Sequence, residues 1–220
     1  LLNGTSINSG SIASSNTGTV EFAQVDDGQN ILVGSYGNLT TEGGSKNFIS
    51  GTVNISNTFN ATASNHTFVS GSTINFNGVS ATQSIPSLNY FNLSLSNGGT
   101  YNFSGTIGIA GNFAVSGSNT YNTTGSTFLF NGAGDQDIAG INYNNLTVTD
   151  RTGTVTLVGT MSISGIFSAA NTTTTYEEGT STVTFNGSAV QSIPDVDFYN
   201  LTIDNPAGVL FTNDIIVNHF

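Results

Sequence analysis

The sequence predicts an all-β chain wound as a right-handed parallel β-helix. Three observations predict it: the composition, a long internal repeat that occurs four times, and an apolar residue that returns halfway along every repeat. Of 220 residues, Asn, Ser, Thr and Gly number 29, 27, 32 and 27, whereas only 7% are charged. A typical domain is about one quarter charged, and helices draw on Ala, Leu, Glu, Lys and Arg, so a helical architecture is disfavoured. Hydrophobic residues at 36%, with 15 Phe and 7 Tyr, supply the large apolar side chains that disordered chains lack.

The repeat is built from a fixed succession of elements. Every unit opens on a strand of the form Thr-x-x-Phe: Thr19-Val-Glu-Phe22, Thr73-Ile-Asn-Phe76, Thr127-Phe-Leu-Phe130 and Thr182-Val-Thr-Phe185. A Gln follows at similar offset, as Gln29, Gln83, Gln136 and Gln191. Next comes a shared pentad: Tyr36-Gly-Asn38-Leu-Thr40, Tyr90-Phe-Asn92-Leu-Ser94, Tyr143-Asn-Asn145-Leu-Thr147 and Phe198-Tyr-Asn200-Leu-Thr202. Each unit closes on an alternating segment: Thr52-Val-Asn-Ile55 to Phe59, Thr106-Ile-Gly-Ile109 to Phe113, Thr160-Met-Ser-Ile163 to Phe167, and Asp214-Ile-Ile-Val217 to Phe220. Four such units account for the chain, read as one solenoid over residues 1–220.

Halfway along each unit the first Phe has a counterpart, giving the series Phe22, Phe48, Phe76, Phe103, Phe130, Leu157, Phe185, Phe211. One step of this series is therefore read as one coil, with two coils per repeat and eight in all. Turn signals of Asn, Gly, Ser and Asp separate the short alternating strands, and no segment sustains a helical period. A β-sandwich also uses short strands, but it requires antiparallel hairpins, whereas a constant step with recurring identities favours a solenoid. The usual crossover preference makes it right-handed. Side chains alternate in and out along a strand, so the eight apolar residues are expected to form an interior stack, Phe on Phe.

Read head to tail, residues 213–220 followed by 1–22 rebuild the junction found inside the chain at residues 51–76 and 105–130. Neither end resembles the polar cap of a monomeric solenoid, and open strand edges invite pairing. The expected subunit junction is Leu1, Leu2, Ile215, Val217 and Phe220. The expected partner is the chain itself, as a head-to-tail homopolymer, or further repeats of a longer array. The alternative is an arbitrary boundary cutting a long protein in phase.

Charge excludes other partners. Thirteen Asp and Glu stand against Lys46 and Arg151, a net charge of −11. Two cations cannot neutralise the phosphates that nucleic-acid binding requires, nor form a polybasic membrane patch. No apolar stretch reaches the length of a transmembrane helix, so neither nucleic acid nor membrane insertion is expected. The start carries neither Met nor a charged leader, and reads as a mature product or an excised piece. Without Cys there is no disulfide framework and no thiolate metal site.

Twelve Asn lie in Asn-x-Ser/Thr sequons: Asn3, Asn38, Asn54, Asn60, Asn65, Asn92, Asn102, Asn122, Asn145, Asn171, Asn186 and Asn200. Asn38, Asn92, Asn145 and Asn200 recur at one point of the repeat, so glycans there would make a row, one per two coils. The competing reading is a ladder of amides at a coil corner, bonded to one another or to backbone. No charged residue lies between Lys46 and Asp135, although charge usually protects a surface from association. Hydroxyls, amides or glycans must keep that stretch wet. The run Thr172-Thr-Thr-Thr175 is an O-linked candidate or a plain Thr-rich strand.

The acids come in short-range pairs: Asp26-Asp27, Asp135 with Asp137, Glu177-Glu178, and Asp195 with Asp197. They offer oxygen ligands for Ca²⁺ or a glycosidase carboxylate pair. They fall at different offsets in the repeat, however, and no EF-hand or Gly-rich nonapeptide loop accompanies them, so solvated turn acids are the simpler reading. His66 and His219 are distant and lack Cys partners, which disfavours zinc, and there is no nucleophile elbow or phosphate loop. No catalytic residue, metal site or cofactor is assigned, Ca²⁺ being the one ion considered. Gly78, Gly132 and Gly187 follow Phe-Asn at corners, as turn residues do.

The string Thr-x-x-Phe-Asn-Gly, Gln-x-Ile, Tyr/Phe-x-Asn-Leu-Thr and Gly-x-x-x-Ile-Ser-Gly-x-Phe is carried by residues 127–132, 136–138, 143–147 and 159–167, and recurs across essentially the whole chain. It resembles the β-helical repeat arrays of very large secreted bacterial surface proteins and adhesins. The resemblance implies a stalk or shaft at the cell surface or outside the cell, with adhesive or sorting domains elsewhere and no active-site residue to carry over. The first repeat departs most, with Ala23-Gln24 for Asn-Gly and Gly37 before Asn38.

The function expected from all this is a structural extracellular filament or cell-surface shaft, not an enzyme. One alternative is a carbohydrate-active β-helix enzyme of the pectate-lyase kind, whose acids need a basic residue on one outer face. Another is a Thr-array ice-binding or adhesin surface, suggested by Thr152, Thr154, Thr156 and Thr172 to Thr175.

Overall fold

The structure, a computed structural model, describes residues 10–79, 81–170 and 172–219. Among them every regular element is a β-strand and every strand pairing is parallel. Alternation sets the burial: in Ser72–Phe76 and Ser126–Phe130 every second side chain is buried and those between are half-buried. The parallel β-solenoid expected from the sequence is the observed fold, with about ten turns in all.

The chain divides into two compact units, Leu1–Phe103 with Ala114–Asn122, and Ser104–Phe113 with Thr123–Phe220. In the first unit, Ser11–Ala13 pairs with the start of Val33–Thr41, which pairs with the start of Gly51–Ala61, then Ser72–Phe76, then Asn92–Leu95. Thr19–Phe22 lies on the second half of Val33–Thr41. Gln29–Ile31, Lys46–Phe48 and His66–Phe68 make another column, as do Thr82–Ile85, Thr100–Phe103 and Thr120–Asn122. In the second unit the columns are Gly105–Ile109, Ser126–Phe130, Asn145–Val148 and Phe167–Ala169; Gln136–Ile138, Thr154–Leu157 and Thr175–Glu177; and Asn142–Tyr143, Thr160–Ile163, Thr182–Phe185 and Asn200–Ile203. Val209–Phe211 pairs on Gln191–Ile193, and Val217 bridges to Phe198.

These registers correct the coil length. The shortest step between stacked residues runs from Gln29 to Lys46, and the longest from Ser11 to Val33 and from Met161 to Val183. Asn102 and Asn122, stacked directly, show the typical step. All of these are shorter than the half-repeat from Phe22 to Phe48, so the turns number about ten rather than eight. The reason is a count of strands: each coil holds three, whereas a half-repeat holds four. The half-repeat is one and one-third coils and the full repeat two and two-thirds. Consecutive members of the aromatic series therefore sit in different columns.

The eight residues do not form one Phe-on-Phe stack. Seven of the eight pack against an Ile one coil earlier: Phe48 on Ile31, Phe76 on Ile55, Phe103 on Ile85, Phe130 on Ile109, Leu157 on Ile138, Phe185 on Ile163 and Phe211 on Ile193. A β-branched side chain against a larger one fills the bore at the ~4.8 Å strand spacing, and rings also meet directly, as where Phe68 stacks on Phe48 with centroids 4.5 Å apart. Phe22, the remaining member, faces Thr41. Seven of the eight are buried; Phe211 is 51% exposed, because no described strand lies on its other side.

Candidate functional site

The repeated polar residues are corner fasteners between coils. The Gln of each repeat is buried. Its Oε1 accepts from the backbone N–H of the preceding corner: Gln29 from Gln24 (3.2 Å), Gln83 from Gly78 (3.0 Å), Gln136 from Gly132 (3.1 Å) and Gln191 from Gly187 (2.8 Å). In the last three repeats Nε2 donates to two carbonyls of an earlier coil: Ile55 and Asn57, Ile109 and Gly111, Ile163 and Gly165. One amide thus satisfies three buried backbone groups. The corner glycine allows this closeness, since a Cβ on Gly132 would stand 2.1 Å from the Ala110 carbonyl oxygen and 2.9 Å from Gln136 Cδ.

The pentad has two structural tasks. Its buried Tyr closes the preceding turn, with Tyr36, Tyr90 and Tyr143 hydroxyls donating to the carbonyls of Leu32 (2.6 Å), Pro86 (2.8 Å) and Ala139 (2.6 Å); burial pushes the pKa of Tyr36 and Tyr90 upward. Its Asn lies opposite the opening Thr of the same repeat, pairing Asn38 with Thr19, Asn92 with Thr73, Asn145 with Thr127 and Asn200 with Thr182. The Asn92, Asn145 and Asn200 amides donate to the Oγ1 of those threonines at 3.2, 3.4 and 3.2 Å, and Asn38 donates to the Thr17 carbonyl at 3.1 Å.

The in-phase sequon Asn are therefore rungs of an Asn-on-Thr ladder, and the expected row is corrected: in the first unit Asn38 and Asn92 stand in different columns, because the repeat is not a whole number of coils. Asn54 is also laddered, accepting from Asn75 at 2.8 Å, and Asn122 donates to Asn102 at 2.6 Å. Asn60, Asn65 and Asn186 are exposed, with amides that have no hydrogen-bond partner among the described residues. Asn3 and Asn171 lie outside the described residues, as do Leu1, Leu2 and Phe220 of the expected junction.

The acid pairs also tie coils together. Asp27 accepts from the Ser45 N–H (2.7 Å), Asp135 from Thr154 (2.8 Å) and Asp197 from Ile216 (3.0 Å), each about one coil on. Asp195 accepts from Asn213 and Glu178 from Asn218. Asp150, outside the pairs, accepts from the Thr173 N–H at 2.8 Å. These backbone bonds hold the carboxyls of Asp27 and Asp150 below the ordinary range. Among the described residues no group of three or more His, Cys, Asp or Glu is placed to hold a metal ion. His66 Nε2 meets Thr41 Oγ1 at 2.7 Å, and His219 Nδ1 meets Asn200 Oδ1 at 2.9 Å.

Sequence reasoning missed the placement of the two cations. Lys46 is 0% exposed, its ammonium donating to the carbonyls of Gln24 (3.0 Å) and Gly44 (2.7 Å). Arg151 is 4% exposed, its guanidinium donating to Gln136 Oε1 and to the carbonyls of Phe130 and Thr149. Desolvation lowers the pKa of both. Neither presents its charge to solvent, so the exposed charge is overwhelmingly acidic.

The last coil differs from the interior. Ile203, Leu210, Phe211 and Ile216 are exposed, and Leu201, Phe211, Asn213, Asp214, Ile215 and Val217 line an open groove of about 520 Å³. No protein-family model matches the chain, and no curated protein or solved structure shows significant similarity to it.

Proposed function

We propose that the chain is a structural shaft segment of an extracellular filament or cell-surface array, in which further coils of the same kind stack on the last one. The observation that carries this reading is the apolar edge of that coil. Phe48, Phe103 and Leu157 hold the equivalent place in the three earlier repeats and are buried, whereas Phe211 is half exposed beside an open groove. A coil laid on Val209–Phe211 would give Phe211 the same surroundings and bury exposed apolar surface at roughly 25 cal/mol per Å².

The surface suits an exterior rod. Hydroxyls and amides replace charge over much of it, and Asn60, Asn65 and Asn186 offer free amides for N-linked glycans. The enzyme alternative loses support from the burial of Lys46 and Arg151, which leaves no Lys or Arg for an outward acid-base cluster. The ice-binding alternative loses support from the register: Thr154 stacks under Thr175, but the neighbouring Thr156 stacks under Glu177.

A covalent tandem of two copies tests the shaft directly. Small-angle scattering should give twice the single-copy length at unchanged cross-sectional radius. Two beads joined by a flexible hinge would contradict it.

A further inference from the structure

The internal repeats specify what fits the last coil and in which register. In each of the first three repeats the strand bearing the half-repeat apolar residue is covered one coil later by a short strand. Lys46–Phe48 is covered by His66–Phe68 with Lys46 opposite His66; Thr100–Phe103 by Thr120–Asn122 with Tyr101 opposite Tyr121; and Thr154–Leu157 by Thr175–Glu177 with Val155 opposite Tyr176. Receivers and covers each advance by one repeat. Val209–Phe211 is the fourth receiver. Stepping the covers back one repeat from His66–Phe68 gives the fourth cover, Ser11–Ala13, whose Ser11 and Ala13 are exposed.

The next column obeys the same rule. Ser72–Phe76 covers the start of Gly51–Ala61 with Phe76 opposite Ile55; Ser126–Phe130 covers Gly105–Ile109 with Phe130 opposite Ile109; and Thr182–Phe185 covers Thr160–Ile163 with Phe185 opposite Ile163. The fourth receiver is residues 214–217, and the fourth cover is Thr19–Phe22.

We propose that a second copy of this chain docks head to tail on the last coil, laying Ser11–Ala13 in parallel on Val209–Phe211 with Ile12 opposite Val209, and Thr19–Phe22 on residues 214–217 with Phe22 opposite Val217. The contact chemistry is complementary. Ile12 and Phe22 occupy the places held in earlier repeats by His66, Tyr121 and Tyr176 and by Phe76, Phe130 and Phe185. Asp214 meets the Thr19 hydroxyl rather than another acid. Parallel addition also pairs the edge of Val209–Phe211 that no described strand covers, as strand edges require. The inference rests on the shaft reading and adds that separate copies suffice to extend it.

The register places Ala13 opposite Leu210 on the solvent side, and both are exposed. Adjacent parallel strands at about 4.8 Å put such a pair within disulfide reach. The chain has no Cys, so Ala13→Cys and Leu210→Cys, made in separate molecules and mixed under mild oxidation, form a defined probe. The 13–210 disulfide should exceed the 13–13 and 210–210 products by about tenfold, while Glu42→Cys mixed with Leu210→Cys should give no enrichment. Unchanged β-sheet circular dichroism of each variant verifies folding. Absence of 13–210 enrichment in folded variants would overturn docking. If the tandem copy is still a uniform rod, the shaft reading survives that failure; if the tandem forms two beads, the shaft reading falls as well.

Discussion

At the scale of single residues, the repeat is a set of hydrogen-bond assignments. Gln83→Leu keeps the size of the side chain but leaves the Gly78 N–H and the Ile55 and Asn57 carbonyls without their partner; it should lower stability by about 2–4 kcal/mol in urea denaturation. Gly132→Ala forces a methyl against the Ala110 carbonyl and should cost about 2–3 kcal/mol. His66 makes a pH prediction. Desolvation, with a smaller contribution from the Lys46 charge, lowers its pKa below 6.5, so the unfolded chain binds the proton more readily. Its contribution is full above pH 6.5 and is lost as pH falls through the lowered folded value. The urea midpoint should drop over that window in the parent and drop less in His66→Gln. The sequon Asn and the recurring Gln were legible as positions. An amide ladder was one of the two readings open for the Asn, but the Gln's task was not legible: its Nε2 partners lie more than one coil away in sequence, although its Oε1 partner is only four or five residues back.

At the scale of the strand, the sequence displays the repeat plainly and conceals the coil. Alternation in residues 73–76 and 127–130 marks strands and their inward faces, and the fourfold recurrence of the whole unit marks a solenoid. Eight strands per repeat on a three-strand coil do not close, however, so Phe22, Phe48 and Phe76 look like a stack although they occupy three columns. The Ile partners were hidden by uneven spacing, since the step from Ile55 to Ile85 is longer than the steps from Ile31 to Ile55 and from Ile85 to Ile109. A cysteine pair separates the two coil lengths. Asn102→Cys with Asn122→Cys, whose amides already touch at 2.6 Å, should close an intrachain disulfide on oxidation, seen as an increased electrophoretic mobility. Asn47→Cys with Asn75→Cys, adjacent if the half-repeat were the coil, should not. Exposure of Phe211 could not be read from its repeat position, which is buried in the three preceding units; it follows from the lack of a described strand above it.

At the scale of the whole molecule, charge and stacking act against each other. The chain carries −11 and buries both Lys46 and Arg151, so in the head-to-tail docking proposed above the copies would repel through Asp195, Asp197, Asp204 and Asp214 on one side and Glu21, Asp26 and Asp27 on the other. Raising monovalent salt from about 10 mM to 0.5 M shortens the screening length from roughly 30 Å to a few ångströms, and should accelerate association followed by light scattering; slower association in high salt would show that attraction between charges drives it. In the proposed shaft, coils of this solenoid stack along the axis of growth. Fibre diffraction from aligned filaments measures it most directly. Strands perpendicular to the axis place the strand spacing, about 4.8 Å, on the meridian, which is the predicted result. The same reflection on the equator would mean that the solenoids associate side by side, and would rule out axial stacking.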